Sequence, residues 1–399
     1  MVSQEEELVD GLKDRVMAVV TGSAVGDALG GATEGWTPRQ IEERYGGRVR
    51  GIVGPFHEDW RAARPIAPYH KGDGHVTDDT LMTCALVEVY ARRRDHLDAY
   101  AIAESLVPLM IGEPQWVPEL EDTVLLLQRV FLAEKWLVAR LHYGHVDPRE
   151  AGTGNIVNCG AAMFMAPVGL ANPGEPAAAY AEAIDVAGAH QSSYGREAAG
   201  VLAAAVAAAV APDATLEAVL DTARRLAHDG TAAAIDAVLD AVASVPPPVD
   251  DEAERELAHL VRAAVAPFDT VGEDYRSPAM DARRPSRTKS IEELPVALAL
   301  LAAHRGDYRG AVLAAVNYGR DADSIASMAG ALAAGLGGTA AVPTEWLDQI
   351  EQASRIDLRA TGRLMAEVVA DLVAADARRA SQRAARLAAL STQAVGEPR

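Results

Sequence analysis

Apolar side chains recur at intervals of three and four residues along most of the 399-residue chain, as they do on the buried face of an amphipathic helix. No segment of useful length alternates apolar and polar residues in the manner of a strand. The pattern therefore predicts an all-α fold. The predicted helices cover residues 9–22, 81–93, 99–110, 119–142, 176–211 with a break at Gly195, 216–227, 231–245, 250–264, 291–303, 308–318, 325–335 and 346–376.

Two long polar segments, 48–76 and 267–290, lack a helical period and are predicted to be loops, which are often functional when they are this long. The first contains His57, His70 and His75. Their spacing matches no zinc pattern, so they are interpreted mostly as polar loop residues. In the second segment, one or two basic side chains are expected to contact a substrate phosphate. These residues are Arg276, Arg283, Arg284, Arg287 and Lys289.

Three glycines, Gly22, Gly26 and Gly30, follow one another at intervals of four, which places them on one side of a helix. Since glycine has no side chain, another backbone can approach closely along that side. The segment is not a phosphate-binding loop, because no strand precedes it and the Lys-Ser/Thr ending is absent. The glycines therefore predict a close helix–helix contact.

Two short acidic clusters begin predicted helices far apart in the chain. One is Thr77-Asp78-Asp79-Thr80 and the other is Asp321-Ala322-Asp323-Ser324. Taken alone, each is compatible with a simple N-cap and a spare acid. Brought together, they would offer four carboxylates and at least two hydroxyls. Such an all-oxygen set suits two hard divalent cations, Mg²⁺ or Mn²⁺.

The chain carries 37 basic and 57 acidic residues, a formal net charge of −20, which argues against nucleic acid or an anionic membrane as the main partner. It does not exclude a substrate with two phosphates, since bound cations change the local field. Cys84 and Cys159 lie among apolar or small residues and are expected to be buried free thiols. We identify neither a signal peptide nor a membrane span, so a cytoplasmic protein is expected.

Five blocks of the sequence, in order, resemble those of the ADP-ribosylglycohydrolase family, which includes the enzyme that removes ADP-ribose from dinitrogen reductase. Both acidic clusters match the metal-binding blocks of that family. The other three blocks are 22–31 with Glu34, 158–170, and the histidine segment 190–195. The resemblance implies one compact multi-helix domain with a central cleft that holds two metal ions. We assign residues 1–376 to this domain and 377–399 to a C-terminal tail, either helical or disordered.

The resemblance also implies roles for individual residues. Glu34, Asp78 and Asp79 are the candidates for activating water, and Asp27 is expected to support the site from behind. The metal ligands implied by position are Thr77, Asp78, Asp79, Asp321, Asp323 and Ser324. Candidate substrate-binding residues are Trp36, Asn158, Gly160 and His190. Three of these have equal alternatives: packing for Trp36, turn formation for Asn158, and a core position for His190.

Several positions depart from the family pattern. Ser324 stands where Thr is usual, which keeps the hydroxyl, and Phe164 stands where many members have Arg. Arg320 and Ala322 replace Gly and Thr or Asn, which predicts a different loop shape. The acid that follows the first metal-binding helix in the family has three candidates here, which are Glu119, Glu121 and Asp122.

These observations predict a metal-dependent hydrolase of an N- or O-glycosidic bond at the anomeric carbon of ribose, with ADP-ribosylated protein or a small ADP-ribosyl compound as its partner. Two alternatives stay open. One is hydrolysis of a small nucleoside-like N-glycoside, and the other is a non-catalytic relative that only binds ADP-ribose or has a structural role.

Overall fold

The computed structural model describes residues 4–61, 70–269 and 291–395, and helices dominate all three ranges. In chain order the helices are α1 Gln4–Gly30, α2 Pro38–Tyr45, α3 Asp78–Arg93, α4 Ala99–Ala101, α5 Val107–Gly112, α6 Leu132–Val138, α7 Ala166–Leu170, α8 Pro176–Gly188, α9 Ser193–Ala209, α10 Leu216–Leu226, α11 Asp229–Val242, α12 Asp251–Val265, α13 Glu293–Ala303, α14 Tyr308–Tyr318, α15 Ala322–Gly337, α16 Thr344–Ser354 and α17 Leu358–Val395. A π-helical turn, Ile102–Leu106, joins α4 to α5, and another, Ala139–Tyr143, continues α6.

The all-α prediction is confirmed, and both acidic clusters start helices as predicted. Thr77 caps α3, which begins at Asp78, and Asp321 immediately precedes α15. In the described ranges the strands are a single antiparallel pair, β1 Gln115–Val117 and β2 Asp122–Val124. Helices α1 and α15 lie side by side in the core. The second acidic cluster, at the start of α15, therefore lies beside Gly30 at the C-terminal end of α1.

The contact between α1 and α15 depends on the three glycines spaced by four, which confirms the predicted helix packing. A Cβ built on Gly26 would overlap the carbonyl oxygen of Ala326, and one on Gly22 would lie 2.5 Å from the Cβ of Ala334. Gly330 of α15 contributes from the opposite side, with the carbonyl oxygen of Gly22 only 2.5 Å from its virtual Cβ. The two backbones therefore approach more closely than any other side chain would allow.

Replacing Gly26 with Ala is expected to lower the free energy of unfolding by about 1–3 kcal/mol, because the added methyl must push α15 away from α1. Gly11 lies on the same helix with nothing within 4 Å of its virtual Cβ. Gly11→Ala is therefore the matched control, and it should raise stability by about 0.5–1 kcal/mol through helix propensity. Denaturant unfolding measures both, and equal effects of the two substitutions would contradict the close contact.

One helical stretch, Asp10–Thr33, is long and apolar enough by length and composition to cross a membrane, which the sequence analysis did not identify. In the folded protein, 94% of an apolar 18-residue window within this stretch is buried. It lies against α15 and α17, as the core helix of a helical domain does.

Several predicted helix boundaries are wrong. The first helix, predicted over 9–22, runs from Gln4 to Gly30, and the segment 346–376 belongs to two helices, α16 and α17, separated by residues 355–357. Residues 119–142 do not form one helix: the segment contains β2 and short 3₁₀ turns, and the α-helix begins only at Leu132. The break in 176–211 falls at residues 189–192, and Gly195 lies inside α9. A Cβ on Gly195 would lie 2.6 Å from the carbonyl oxygen of Asn158, so this glycine allows a close approach and does not end a helix.

The C-terminal segment continues α17 as far as Val395, with residues 377–390 exposed along it. The loop predicted over 267–290 lies almost entirely outside the described residues, as do its five basic side chains.

Candidate metal centre

The two acidic clusters lie on either side of the backbone at the C-terminal end of α1, and each is in contact with it. A Cβ on Gly30 would lie 2.6 Å from the Cα of Asp323. One on the next residue, Gly31, would lie 2.8 Å from Cγ2 of Thr77 and 3.4 Å from the Cβ of His70. The structure therefore brings together the two clusters, although they are more than 200 residues apart in sequence.

Asp27 of α1 lies directly behind the first cluster, in the supporting position predicted for it. Its carboxylate accepts hydrogen bonds from the backbone N–H of Thr77 at 2.9 Å and from the Thr77 hydroxyl at 2.5 Å. Thr80 donates to it through its N–H at 3.2 Å and through its hydroxyl. Because the Thr77 hydroxyl hydrogen points at Asp27 and one lone pair accepts the N–H of Asp79 at 3.3 Å, one lone pair of that oxygen is left for another partner.

Buried negative charge is concentrated between the clusters. Four carboxylates are at most 5% exposed: Asp78, Asp79, Asp321 and Asp323. Burial raises the pKa of Asp79 well above its usual range, and the nearby carboxylates raise it further. Burial also raises the pKa of Asp78 to about 7 and that of Asp323 to about 8. Among the described residues, Oδ2 of Asp79 has no hydrogen-bond partner. A buried carboxylate oxygen without a donor, among other carboxylates, fits a divalent cation.

His70 lies at the centre of this charge, which corrects its interpretation as a polar loop residue. Its Nε2 is 2.9 Å from Oε2 of Glu34 and 3.0 Å from Oδ2 of Asp323. Burial alone would lower the pKa of His70, but contacts with Asp323, Glu119 and Glu34 outweigh it and raise the pKa well above its usual value. The one sequence feature that could have indicated this role is that His70 lies seven residues before Thr77. The histidines of this segment lack a zinc-binding spacing, and that favoured the loop interpretation.

Of the three acids weighed after the first metal-binding helix, the structure brings Glu119 to the site. Glu119 is fully buried, whereas Glu121 and Asp122 are exposed. Arg129, also fully buried, donates from Nε to Glu119 and places Nη1 3.1 Å from Oδ1 of Asp78. Although burial would raise the pKa of Glu119, Arg129 and His70 lower it to about 2. Sequence reasoning missed Arg129 because it placed this residue in the middle of a helix that does not form.

The loop that carries Glu34 is held by the loop before the second cluster. The N–H of Gly35 donates to the carbonyl of Arg320, and the N–H of Arg320 donates to the carbonyl of Trp36 at 2.9 Å. Gly319 has φ 72°, and a Cβ on this residue would overlap the carbonyl oxygen of Trp36. Arg320 has φ 58°, so this loop adopts a left-handed conformation without the glycine common in the family. These bonds hold Glu34 beside the candidate metal centre.

The predicted roles of Trp36 stay open. Its ring stacks on Phe56 with centroids 3.6 Å apart and planes 7° apart, and His57 approaches edge-on. One face of Trp36 is therefore used for packing.

The segment 158–170 approaches the second acidic cluster through Cys159, which is buried and not in a disulfide. Its thiol donates to Oδ2 of Asp321 at 3.1 Å and lies 3.4 Å from Oγ of Ser324. Asn158 uses its side-chain oxygen locally, accepting from the N–H of Gly160 at 3.0 Å and from Gln191 at 2.9 Å. These bonds fit the turn-forming alternative for Asn158, and its substrate-binding role stays a prediction.

His190 is buried on the far side of the same loop. Its Nε2 lies 3.4 Å from Oε1 of Glu134, and its ring centroid is 5.8 Å from that of Phe164. Gly160 leaves no space between these groups, because its virtual Cβ would be 2.6 Å from the same Glu134 oxygen. His190 and Gly160 thus adjoin Glu134, whose charge contributes to the raised pKa of Asp78.

Comparisons with known proteins agree with this architecture. The profile of the ADP-ribosylglycohydrolase family matches residues 8–384. The chain is 22% identical over 346 residues to the uncharacterized protein YegU of Escherichia coli (strain K12), covering 86% of this chain and 94% of YegU. It is 24% identical over 354 residues to the ADP-ribosylarginine hydrolase Tri1 of Pseudomonas putida (strain GB-1), covering 86% of this chain and 76% of Tri1. A solved ADP-ribosylglycohydrolase-related protein complex has the same fold, with a TM-score of 0.59, 20% identity, and coverage of 90% of this chain and 99% of that one.

Proposed function

Because the chain belongs to the ADP-ribosylglycohydrolase family, we propose that it is a metal-dependent hydrolase of ADP-ribose linked to protein or to a small molecule through nitrogen or oxygen. The observation that carries the proposal is the group of buried carboxylates between the two clusters, which includes Oδ2 of Asp79, an oxygen without a hydrogen-bond partner among the described residues. Without a cation, burying these charges is costly, so the arrangement is best explained by ions that belong there.

The proposed site holds two Mg²⁺ or Mn²⁺ ions, which when bound would supply Lewis acidity for ribose hydroxyls and for water. The chain holds them through oxygen atoms, with Asp27 orienting Thr77 and with Arg129 orienting Asp78. The ligands are the six residues implied by the resemblance: Thr77, Asp78, Asp79, Asp321, Asp323 and Ser324.

In the proposed reaction the glycosidic bond at the anomeric carbon breaks through an oxocarbenium-like transition state, which the surrounding carboxylates stabilise. The departing nitrogen or oxygen keeps the electron pair of that bond. A water molecule adds to the anomeric carbon, and its proton passes to a carboxylate and from there to the departing group. Glu34, Asp78 and Asp79 are the candidates to accept the proton. Glu34 is well placed because its loop is held by Arg320 and its Oε2 faces the same space as Asp323.

The name of the Pseudomonas relative supports an arginine-linked substrate. Phe164 favours a second candidate, because the arginine that many members have there is replaced by a buried ring packed against His190. Losing a cation near the substrate would shift preference from ADP-ribose toward a smaller nucleoside-like N-glycoside.

A substrate screen tests the proposal. Purified protein with Mg²⁺ or Mn²⁺ should release ADP-ribose from ADP-ribosyl-arginine or ADP-ribosyl-serine peptides, and chelation should stop the reaction. Release of base from simple nucleosides alone would support the second candidate. ADP-ribose binding without turnover of any substrate would contradict an enzyme and favour a binding protein.

A further inference from the structure

His70 differs in chemistry from the oxygen ligands around it. Its side chain is 2% exposed, and its Nε2 lies between the carboxylates of Glu34 and Asp323. One atom from each of these three residues lies within 4.8 Å of the others, close enough to surround a single ion. At that position the chain therefore offers an imidazole nitrogen in addition to oxygen atoms.

The opposite edge of the ring allows His70 to carry its hydrogen on either nitrogen. Nδ1 faces a donor, Nη2 of Arg129 at 2.9 Å, and an acceptor, Oε1 of Glu119 at 3.3 Å. The backbone N–H of Lys71 holds that Glu119 oxygen in place at 3.0 Å. With the hydrogen on Nε2, the ring donates to the carboxylates and accepts from Arg129. With the hydrogen on Nδ1, it donates to Glu119 and leaves a lone pair on Nε2.

The second arrangement matches how proteins present histidine to metals, with a carboxylate accepting from the far ring nitrogen. Resting on the metal site of the proposed function, we propose that His70 binds one of the two ions through Nε2, with Glu119 as its orienting partner. On binding, the ion takes the place of the Nε2 hydrogen between Glu34 and Asp323, and the hydrogen that remains on the ring lies on Nδ1 and is donated to Glu119.

A nitrogen ligand changes which ion this position prefers. Mg²⁺ favours oxygen ligands and holds its waters tightly, whereas imidazole suits transition metals. The position beside His70 should therefore select Mn²⁺ over Mg²⁺, while a neighbouring position built from carboxylate and hydroxyl oxygens accepts either.

Pulsed electron paramagnetic resonance of the Mn²⁺-loaded protein tests the proposal directly, since it detects a ligand nitrogen through its nuclear coupling. Wild-type protein should show a nitrogen coupling that changes when histidine is labelled with ¹⁵N. His70→Asn should remove it and lower Mn²⁺ affinity at least about tenfold relative to Mg²⁺ affinity. His75→Asn is the matched control, because His75 belongs to the same segment but contacts the carbonyl of Gly72 at 2.8 Å.

Each outcome bears on the proposal. Tightly bound Mn²⁺ with no nitrogen coupling would overturn the role of His70 and leave the hydrolase proposal standing. A coupling that persists in His70→Asn would also overturn it and point to another histidine. If Mn²⁺ does not bind, the role of His70 is overturned, and if Mg²⁺ does not bind either, the hydrolase proposal fails as well. The ¹⁵N measurement uses the unaltered protein, so it decides the question even if the variant does not fold.

Discussion

Replacing Asp79 with Asn is expected to abolish hydrolysis and, at the same time, to stabilise the metal-free protein. Asn keeps the shape of the side chain and is neutral, so it is buried without the proton that folding must bind at Asp79, whose pKa is raised by burial and by nearby carboxylates. Removing that cost raises the free energy of unfolding at neutral pH. The same change removes a ligand oxygen, and losing several kcal/mol of transition-state stabilisation lowers the rate by about a thousandfold.

Thermal unfolding of the chelated protein and an assay with Mn²⁺ measure the two halves of this prediction. Asp240→Asn is the control, since Asp240 is exposed and its carboxylate pairs with Arg224 near the surface. It should change neither quantity by a measurable amount. An Asp79→Asn protein that is active, or that is less stable than wild type without metal, would contradict the assignment of Asp79 as a ligand.

The apparent affinity for Mn²⁺ is expected to rise by about 500-fold between pH 6 and pH 8, about tenfold from Asp78 and about fiftyfold from Asp323. Burial raises the pKa of Asp78 to about 7 and that of Asp323 to about 8, so at pH 6 both carboxyls carry protons that a metal must displace. Each displaced proton contributes up to about tenfold in affinity per pH unit. Isothermal titration calorimetry at several pH values, in buffers of different ionisation enthalpy, measures both the affinity and the protons released.

The free energy of unfolding of the metal-free protein should fall over the same pH range in which the Mn²⁺ affinity rises. Asp78, Asp79 and Asp323 have folded-state pKa values above those of the unfolded chain, so folding binds protons and stability falls as pH rises toward pH 8. His70 acts in the same direction, because its pKa is also raised and its stabilisation is complete only below its unfolded value. Glu119, with a pKa lowered to about 2, affects stability only below about pH 4.5. A metal-free Tm independent of pH from 5 to 8 would contradict this electrostatic picture.

Local rules were sufficient for the parts of the site that lie on regular helices. Capping chemistry predicted that α3 and α15 begin at the acidic clusters, and the spacing of Gly22, Gly26 and Gly30 predicted the contact that brings them close. The partner of those glycines could not be predicted from spacing alone. That contact is formed by the backbone of α15, which lies some 300 residues away in sequence.

The residues that were missed lie outside the regular α-helices of the structure. His70 enters the site from a loop, and Arg129 follows a short hairpin whose three-residue strands are too brief to show alternation. Their positions are determined by tertiary contacts with Glu119 and Asp78, which no local pattern encodes. Gly195 illustrates the same limit: a glycine at a helix break and a glycine at a close contact look alike in sequence.

The central claim is that residues 77–79 and 321–324 together hold a pair of divalent ions. Anomalous diffraction from crystals soaked in MnCl₂, collected at the manganese absorption edge, tests this claim most directly. The account predicts two peaks about 3.5–4 Å apart between Asp79 and Asp323, one of them next to Nε2 of His70. Peaks found only elsewhere on the protein, or none between these side chains at saturating Mn²⁺, would contradict it.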